Sequence, residues 1–148
     1  MTRVLVSLAA AIAVAVATAI GGYAIADTAH AESQATLGPG LVTVDVGIRY
    51  SHFSFSTLRV RPGTLVEFHV HNDDPIAHEF IVGDASVHIR HERGTEAAHP
   101  PVPGEVSVKA LDVGATFYRF EAPGRYEFAC HLPGHLAYGM RGWVVVAP

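Results

Sequence analysis

The alternation of apolar and polar residues predicts a series of short β-strands from about Leu41 to the C-terminus. Between Thr64 and His71, the apolar residues Val66, Phe68 and Val70 occupy every second position. This period of two is typical of a strand with one face against a core. Strands of the same kind are predicted at 41–49, 53–60, 79–82, 105–110, 116–121, 125–130 and 142–146.

Turn residues separate these runs, most clearly Arg-Pro-Gly at 61–63 and Ala-Pro-Gly at 122–124. With about eight short strands and no long helical period, the chain is predicted to be all-β, a Greek-key sandwich or barrel. The segment 84–104, rich in charge, histidine and proline, is predicted to be a long connection with room for a short helical turn. A length of 148 residues suits one compact domain, which we place at 41–148.

The N-terminus has the pattern of an export signal. Arg3 precedes an apolar run from 4 to 20, and small-residue cleavage motifs follow at 24–26 and 29–31. We predict a signal peptide over 1–31 and a flexible lead-in over 32–40. The alternative is an uncleaved anchor, because the run is nearly long enough to span a bilayer. Either way the domain is expected outside the cytoplasm, in the periplasm or at the cell surface, with membrane contact only if the segment is retained.

Charge and composition narrow the possible partners. The net charge of −4 provides no basic surface for nucleic acid or anionic lipid, so neither is expected as a partner. Ten histidines make metal binding worth testing, since imidazole is the commonest protein ligand for metals. The chain has a single cysteine, Cys130. An unpaired cysteine in an exported protein is an intermolecular bridge, an incidental buried thiol or a functional thiolate.

The residues around this cysteine indicate a copper site. Cys130 ends a predicted strand, and His135 and Met140 follow in a loop before the last strand. Thiolate and thioether donors select a soft or borderline metal, and a His₂Cys set with a weak axial methionine is the electron-transfer arrangement for copper. Zinc normally takes more cysteine or histidine and no methionine. One more histidine is required.

The strand pattern helps to choose that histidine. His69 and His71 lie on the polar face of their predicted strand, so they should point to solvent and are poor candidates. His78 follows a turn-rich segment and precedes an apolar run, which places it on a loop at one end of the sandwich. We therefore select His78.

The order of these motifs resembles the cupredoxins, the blue-copper family of plastocyanin and azurin. An asparagine-containing turn leads to His78, and a strand, Cys130, His135 and Met140 follow before the final strand. The resemblance spans 41–148 and implies His78, Cys130 and His135 as equatorial ligands, Met140 as axial ligand, and one copper ion per chain.

Two positions depart from the family pattern. Glu79 stands where many members have an asparagine that ties the ligand loops together, which puts the rigidity of the site in doubt. His131 directly follows Cys130, as in multicopper oxidases, where that histidine serves a second copper centre. Such oxidases need several domains and a histidine before the cysteine, where this chain has Ala129.

Two functions are compatible with this site. The first is one-electron transfer to a redox partner, with the apolar surround of His135 as docking surface. The second is copper binding, delivery or resistance, with a copper donor or acceptor as partner. In that case His88, His91 and His99 would form an accessory metal site; the favoured alternative is a solvated loop with incidental histidines. A filled site leaves no coordination position for catalysis, so we do not expect an enzyme. We also expect the protein to be a monomer.

Overall fold

Nine strands and one helix make up the part of the chain that the structure, a computed structural model, describes, residues 36–94 and 101–148. The all-β prediction is confirmed. The elements are β1 Gly40–Arg49, β2 His52–Phe53, β3 Thr57–Val60, β4 Thr64–Asn72, β5 His78–Gly83, α1 Ala85–Glu92, β6 Glu105–Val108, β7 Val113–Phe120, β8 Gly124–Ala129 and β9 Arg141–Val146.

The strands form two sheets, with the orders β2-β1-β4-β7 and β3-β9-β8-β5-β6. The pairs β1/β4 and β3/β9 are parallel, and the other pairs are antiparallel. The single strand predicted at 53–60 is two strands, because the chain changes sheets there: β2 pairs with β1, whereas β3 pairs with β9. Strands that pass from one sheet to the other close the corners of such sandwiches.

The core lies between the two sheets and is rich in phenylalanine. Phe68, Phe80, Phe120 and Phe128 are fully buried, and the ring centroids of Phe68 and Phe80 are 4.9 Å apart. Each such side chain contributes roughly 1.5–3 kcal/mol by leaving water. On β4 the predicted alternation is confirmed, since the apolar residues are buried while the two histidines point outward.

The part of the connection that the structure describes before residue 95 forms an eight-residue helix, longer than the short helical turn predicted there. Asp84 caps α1: its carboxylate accepts the backbone N–H groups of Ser86 and Val87 at 2.8 and 3.3 Å. The helix packs against β5 and β8, and this buries His88 and His91. The interpretation of these two as solvated, incidental histidines is therefore wrong, because a spacing of three places both on one helix face. His99 lies outside the described residues.

The predicted signal peptide or anchor, 1–31, also lies outside the described residues, as does 32–35 of the lead-in. From residue 36 the chain can be followed, and Leu37 forms an isolated parallel bridge with Val60. Within the two described ranges, no helix is both long and apolar enough to cross a membrane. The boundaries of signal peptide, lead-in and domain stay predictions.

Candidate metal centre

Three of the four predicted ligands meet at one end of the sandwich. His78 begins β5, Cys130 directly follows β8, and His135 lies in the loop between β8 and β9. One ligand atom from each lies within 4.8 Å of the others. The Nδ1 atom of His135 is 3.2 Å from both the Nδ1 atom of His78 and the Sγ atom of Cys130. Two imidazole nitrogens and one thiol sulfur thus face a common point.

The loop between β8 and β9 is folded by its own backbone hydrogen bonds. The N–H of Met140 donates to the carbonyl of His135 at 3.1 Å, and the N–H of Cys130 donates to the carbonyl of Met140 at 3.1 Å. Gly134 and Gly139 have φ values of 87° and 86°, a left-handed backbone that glycine adopts without strain. The backbone of Met140 therefore returns to Cys130, and the Met140 side chain is buried in the hydrophobic core that also contains Cys130.

The Cys130 thiol is buried, and a backbone hydrogen bond ties it to the other ligand strand. Burial raises its pKa, although amide hydrogen bonds from Glu79 and Leu132 partly oppose that effect. The N–H of Glu79 donates to the sulfur at 3.3 Å. The backbone of Glu79 thus links the two ligand segments whatever its side chain does. A cation at the common point would favour the thiolate.

His78 is fully buried and is oriented by a carboxylate that sequence reasoning missed. Its Nε2 atom donates to the Oδ2 atom of Asp74 at 2.9 Å, and in the neutral ring this leaves the lone pair on Nδ1, the atom that faces His135. Such carboxylate partners orient metal-binding histidines. The spacing of four between Asp74 and His78, within one turn-rich segment, was the available signal.

Asp74 is itself held in place by backbone amides. The N–H groups of Tyr50 and Ser51 donate to its two oxygens at 2.6 and 2.7 Å. Burial acts to raise the pKa of Asp74, but these hydrogen bonds and the one from His78 outweigh it, so the pKa is lowered. The carboxylate is therefore ionised at neutral pH and fixed behind His78.

His135 is the partly exposed member of the centre. Burial and the neighbouring His78 both lower its pKa, so the His135 imidazole favours the neutral state that a metal requires. Two imidazole nitrogens and a sulfur fit a soft or borderline cation such as copper.

A second group of histidines, His88, His91 and His131, includes the residue that follows Cys130, and the contacts of His131 with the other two were not predicted from the sequence. The Nε2 atom of His131 is 2.9 Å from Nδ1 of His88, whose own Nε2 donates to the carbonyl of Glu127 at 3.1 Å. The ring of His91 stacks on that of His131 at 5.7 Å. Burial lowers the pKa of His131 to about 4. The three rings join α1 to the residue that follows the cysteine.

The family can now be stated from comparison as well as from geometry. A family model described as copper binding proteins of the plastocyanin/azurin family matches residues 41–147. The chain belongs to this family. The cupredoxin fold and the copper cofactor are thereby confirmed, and the three converging side chains form a candidate site for that copper.

Curated relatives carry a more specific name. A copper-resistant cuproprotein CopI from Rubrivivax gelatinosus is 37% identical over 97 residues, which cover 64% of this chain and 59% of that protein. The chain thus spans less than two thirds of that relative. A CopI from Pseudomonas aeruginosa (strain PAO1) is 26% identical over 166 residues, covering 86% of this chain and 90% of the relative.

Solved structures support the fold of this cupredoxin. Reduced auracyanin from the photosynthetic bacterium Roseiflexus castenholzii superimposes with a TM-score of 0.61 at 20% identity, over 72% of this chain and 97% of the other. Part of a multicopper oxidase superimposes with a TM-score of 0.54 at 18% identity, over 74% of this chain and 39% of the oxidase. At such identities the likeness extends to the fold alone.

Proposed function

We propose that this chain is an exported cupredoxin that binds one copper ion through His78, Cys130 and His135, with Met140 as the axial ligand, and that it serves in copper resistance. The observation that supports this most is the convergence of two imidazole nitrogens and one buried thiol within 4.8 Å. Bound copper would supply one-electron chemistry between Cu(I) and Cu(II).

The residues around the ligands are suited to hold them still. Asp74 keeps the lone pair of His78 on Nδ1, and the amide of Glu79 supports negative charge on the sulfur of Cys130. Met140 is buried in the same hydrophobic core as Cys130 and offers a weak thioether donor. These supports fix the directions of the ligand atoms, which limits the rearrangement that copper binding requires.

The relatives favour copper handling as the use of this site, since two of them are named copper-resistant cuproproteins. The partner would then be a copper donor or acceptor in the space outside the cytoplasm. This reverses the order in which the sequence placed the two functions. The predicted signal at 1–31 fits that location.

Electron transfer is the second candidate, and the surface near His135 favours it. The loop around this histidine presents apolar side chains at Leu132, Pro133, Leu136, Ala137 and Tyr138, and the last is 78% exposed. An apolar patch beside a half-buried ligand suits brief docking with a redox protein.

The first experiment tests the copper site itself. Copper-loaded protein should show the intense visible absorption of a copper–thiolate bond, and Cys130→Ser should abolish it. His52→Ala is the matched control, because His52 is exposed on β2 and, within the described residues, its ring hydrogen-bonds to the carbonyl of nearby Tyr50. Persistence of the colour in Cys130→Ser would refute the assignment.

The second experiment separates the two uses. Leu136→Lys places a charge in the apolar patch without changing a ligand. Copper handling predicts that a strain relying on this variant keeps its copper tolerance, whereas Cys130→Ser loses it. Electron transfer predicts slower electron exchange with a redox protein in Leu136→Lys, and no loss of tolerance in Cys130→Ser.

We propose no catalytic reaction at this centre, because the two histidines, the cysteine and the methionine would fill its coordination positions. Oxygen consumption by the copper-loaded protein with a reducing substrate tests this point. Turnover that depends on Cys130 would contradict it.

A further inference from the structure

The outer face of the four-stranded sheet has a group of side chains with metal-binding donors, far from the ligand loop in sequence. Asp45 lies on β1, and Glu67, His69 and His71 lie on β4. The parallel register pairs Asp45 with His69. The intervening β4 residues are buried in the core, so alternate side chains of β4 point away from it. We call these four residues the outer histidine cluster.

The donor atoms of the cluster gather around one carboxylate oxygen. The Oδ1 atom of Asp45 is 3.4 Å from Nε2 of His71 and 4.0 Å from Nδ1 of His69. On its other side, His69 donates from Nε2 to the Oε1 atom of Glu67 at 3.1 Å. Both imidazoles thus approach the same oxygen from β4.

Glu67 determines which nitrogen of His69 is available. A carboxylate can only accept, so Nε2 of His69 carries the hydrogen, and in the neutral ring the lone pair is on Nδ1, the atom nearer Asp45. A carboxylate on the far nitrogen of a histidine is the usual support for a metal ligand. It fixes both the tautomer and the direction of the ring.

We propose that Asp45, His69 and His71 form a second metal site, which takes a divalent transition-metal ion, Cu²⁺ most tightly and Zn²⁺ less so. Bonds of about 2.0–2.2 Å place neighbouring donor atoms roughly 3 Å apart. The distances from the Asp45 oxygen to His71 Nε2 (3.4 Å) and to His69 Nδ1 (4.0 Å) therefore need to shorten by about 1 Å or less. The side chains of Asp45, His69 and His71 are 77%, 40% and 47% exposed, so they can rotate to do so.

The donor set explains the choice of ion. Two imidazole nitrogens and a carboxylate oxygen suit a borderline divalent ion, and for a given set of such donors Cu²⁺ binds more tightly than Zn²⁺. The cluster has no sulfur donor, unlike the buried centre, so it should favour Cu²⁺ over Cu⁺. Its three ligands leave positions for water, and solvent reaches the site directly.

The outer histidine cluster shares no residue with the buried centre and lies on the other sheet. Its occupation can therefore be tested with the buried centre already filled, and its failure would leave the copper assignment of that centre untouched. If the protein handles copper as proposed, a surface site of this kind gives each chain capacity for a second ion.

The test is a titration of full-length protein that already contains one copper ion at the buried centre. Equilibrium dialysis against Cu²⁺ should show a second bound ion per chain. Electron paramagnetic resonance should show a second signal, without added thiolate absorption. A parallel titration with Zn²⁺ should fill the same site more weakly and block the second Cu²⁺.

Substitutions assign that second ion. His69→Ala and His71→Ala should each reduce binding to one copper per chain, and Asp45→Asn should do the same with almost no change of shape. Glu67→Gln should weaken the second site by roughly 10–100-fold, because it removes only the charged support of His69. The control variant His52→Ala changes an exposed histidine outside the cluster and should still bind two copper ions per chain.

The thiolate absorption of the first copper serves as the folding control in every variant. If a histidine variant loses that band, Asp45→Asn and Glu67→Gln test whether the second ion binds at the outer histidine cluster, since both substitutions keep the shape of the side chain. The proposal is overturned if wild-type protein binds only one copper. It is equally overturned if the second ion binds as tightly in Asp45→Asn as in wild type.

Discussion

The carboxylate of Asp74 should stabilise both the fold and the copper centre, and Asp74→Asn separates its charge from its shape. Its two oxygens accept three donors: the amides of Tyr50 and Ser51, and Nε2 of His78. An asparagine keeps one oxygen and replaces the other with an NH₂ group. Because all three partners are donors, the NH₂ group must face at least one of them.

The expected loss follows from this count. One hydrogen bond to a charged acceptor disappears, at about 1.5–3 kcal/mol, and the remaining ones weaken because a neutral oxygen accepts less strongly. The free energy of unfolding of the copper-free protein should therefore fall by about 2–4 kcal/mol. Tyr50 and Ser51 have φ values of 53° and 56°, so this left-handed turn depends on the acceptors that Asp74 provides.

The copper centre should respond as well. His78 would be oriented by a neutral amide or by none, and copper affinity should fall by about 10–100-fold. Denaturant unfolding of copper-free protein and competition with a copper chelator measure the two effects. Asp73→Asn is the matched control, because this neighbouring carboxylate is exposed.

The outcome that would refute this reasoning is specific. If Asp74→Asn unfolds within about 0.5 kcal/mol of wild type, the three hydrogen bonds do not stabilise the fold as the distances suggest. If its copper affinity also equals that of Asp73→Asn, then the orientation of His78 does not depend on the carboxylate.

Three further changes have defined outcomes. Asp84→Ala should lower the free energy of unfolding by about 1 kcal/mol at pH 7. Hydrogen bonds from the Ser86 hydroxyl and from backbone amides lower the pKa of Asp84, so its contribution to stability is present above the ordinary value of 3.8 and is lost as the pH falls through the lowered pKa. In urea unfolding, the stability difference between wild type and Asp84→Ala should therefore be smaller at pH 3 than at pH 7. Asp84→Asn should keep the cap without that pH dependence. Gly142→Ala should lower the stability by about 1–3 kcal/mol in thermal unfolding, because the added methyl group would overlap the ring of Phe128; an unchanged melting temperature would contradict the packing. Met140→Leu should cost less than about 1.5 kcal/mol of stability and yet shift the visible spectrum of the copper protein, and an unchanged spectrum would argue against axial ligation.

The sequence by itself determined the all-β class, the β4 face that enters the core and the ligand-bearing loop. These follow from local rules: a period of two assigns faces of a strand, and glycine and proline mark turns. The residues from Cys130 to Met140 lie in one loop, so their proximity needs no knowledge of distant contacts. The structure brings His135 next to Cys130 as that spacing indicates.

The strand pattern and the family resemblance selected His78, but only the tertiary structure shows how distant residues contact the ligand loop. His78 approaches His135 across 57 positions of sequence, and the amide of Glu79 reaches the sulfur of Cys130 across 51. No local pattern encodes these distances, because they depend on how β5 pairs with β8. The backbone amide of Glu79 links the two ligand segments. A lower rigidity from the missing asparagine side chain stays a prediction.

The same reason explains the histidines that were misjudged. His88 and His91 resembled polar residues of a connection, because histidine occurs both buried and exposed in proteins and α1 is only eight residues long. Packing of α1 on β5 and β8 buried them, and pairing of β1 with β4 brought Asp45 opposite His69. The sequence period indicates which face of its own strand a side chain lies on. The residue that it contacts on another strand or helix depends on how the elements pair and pack.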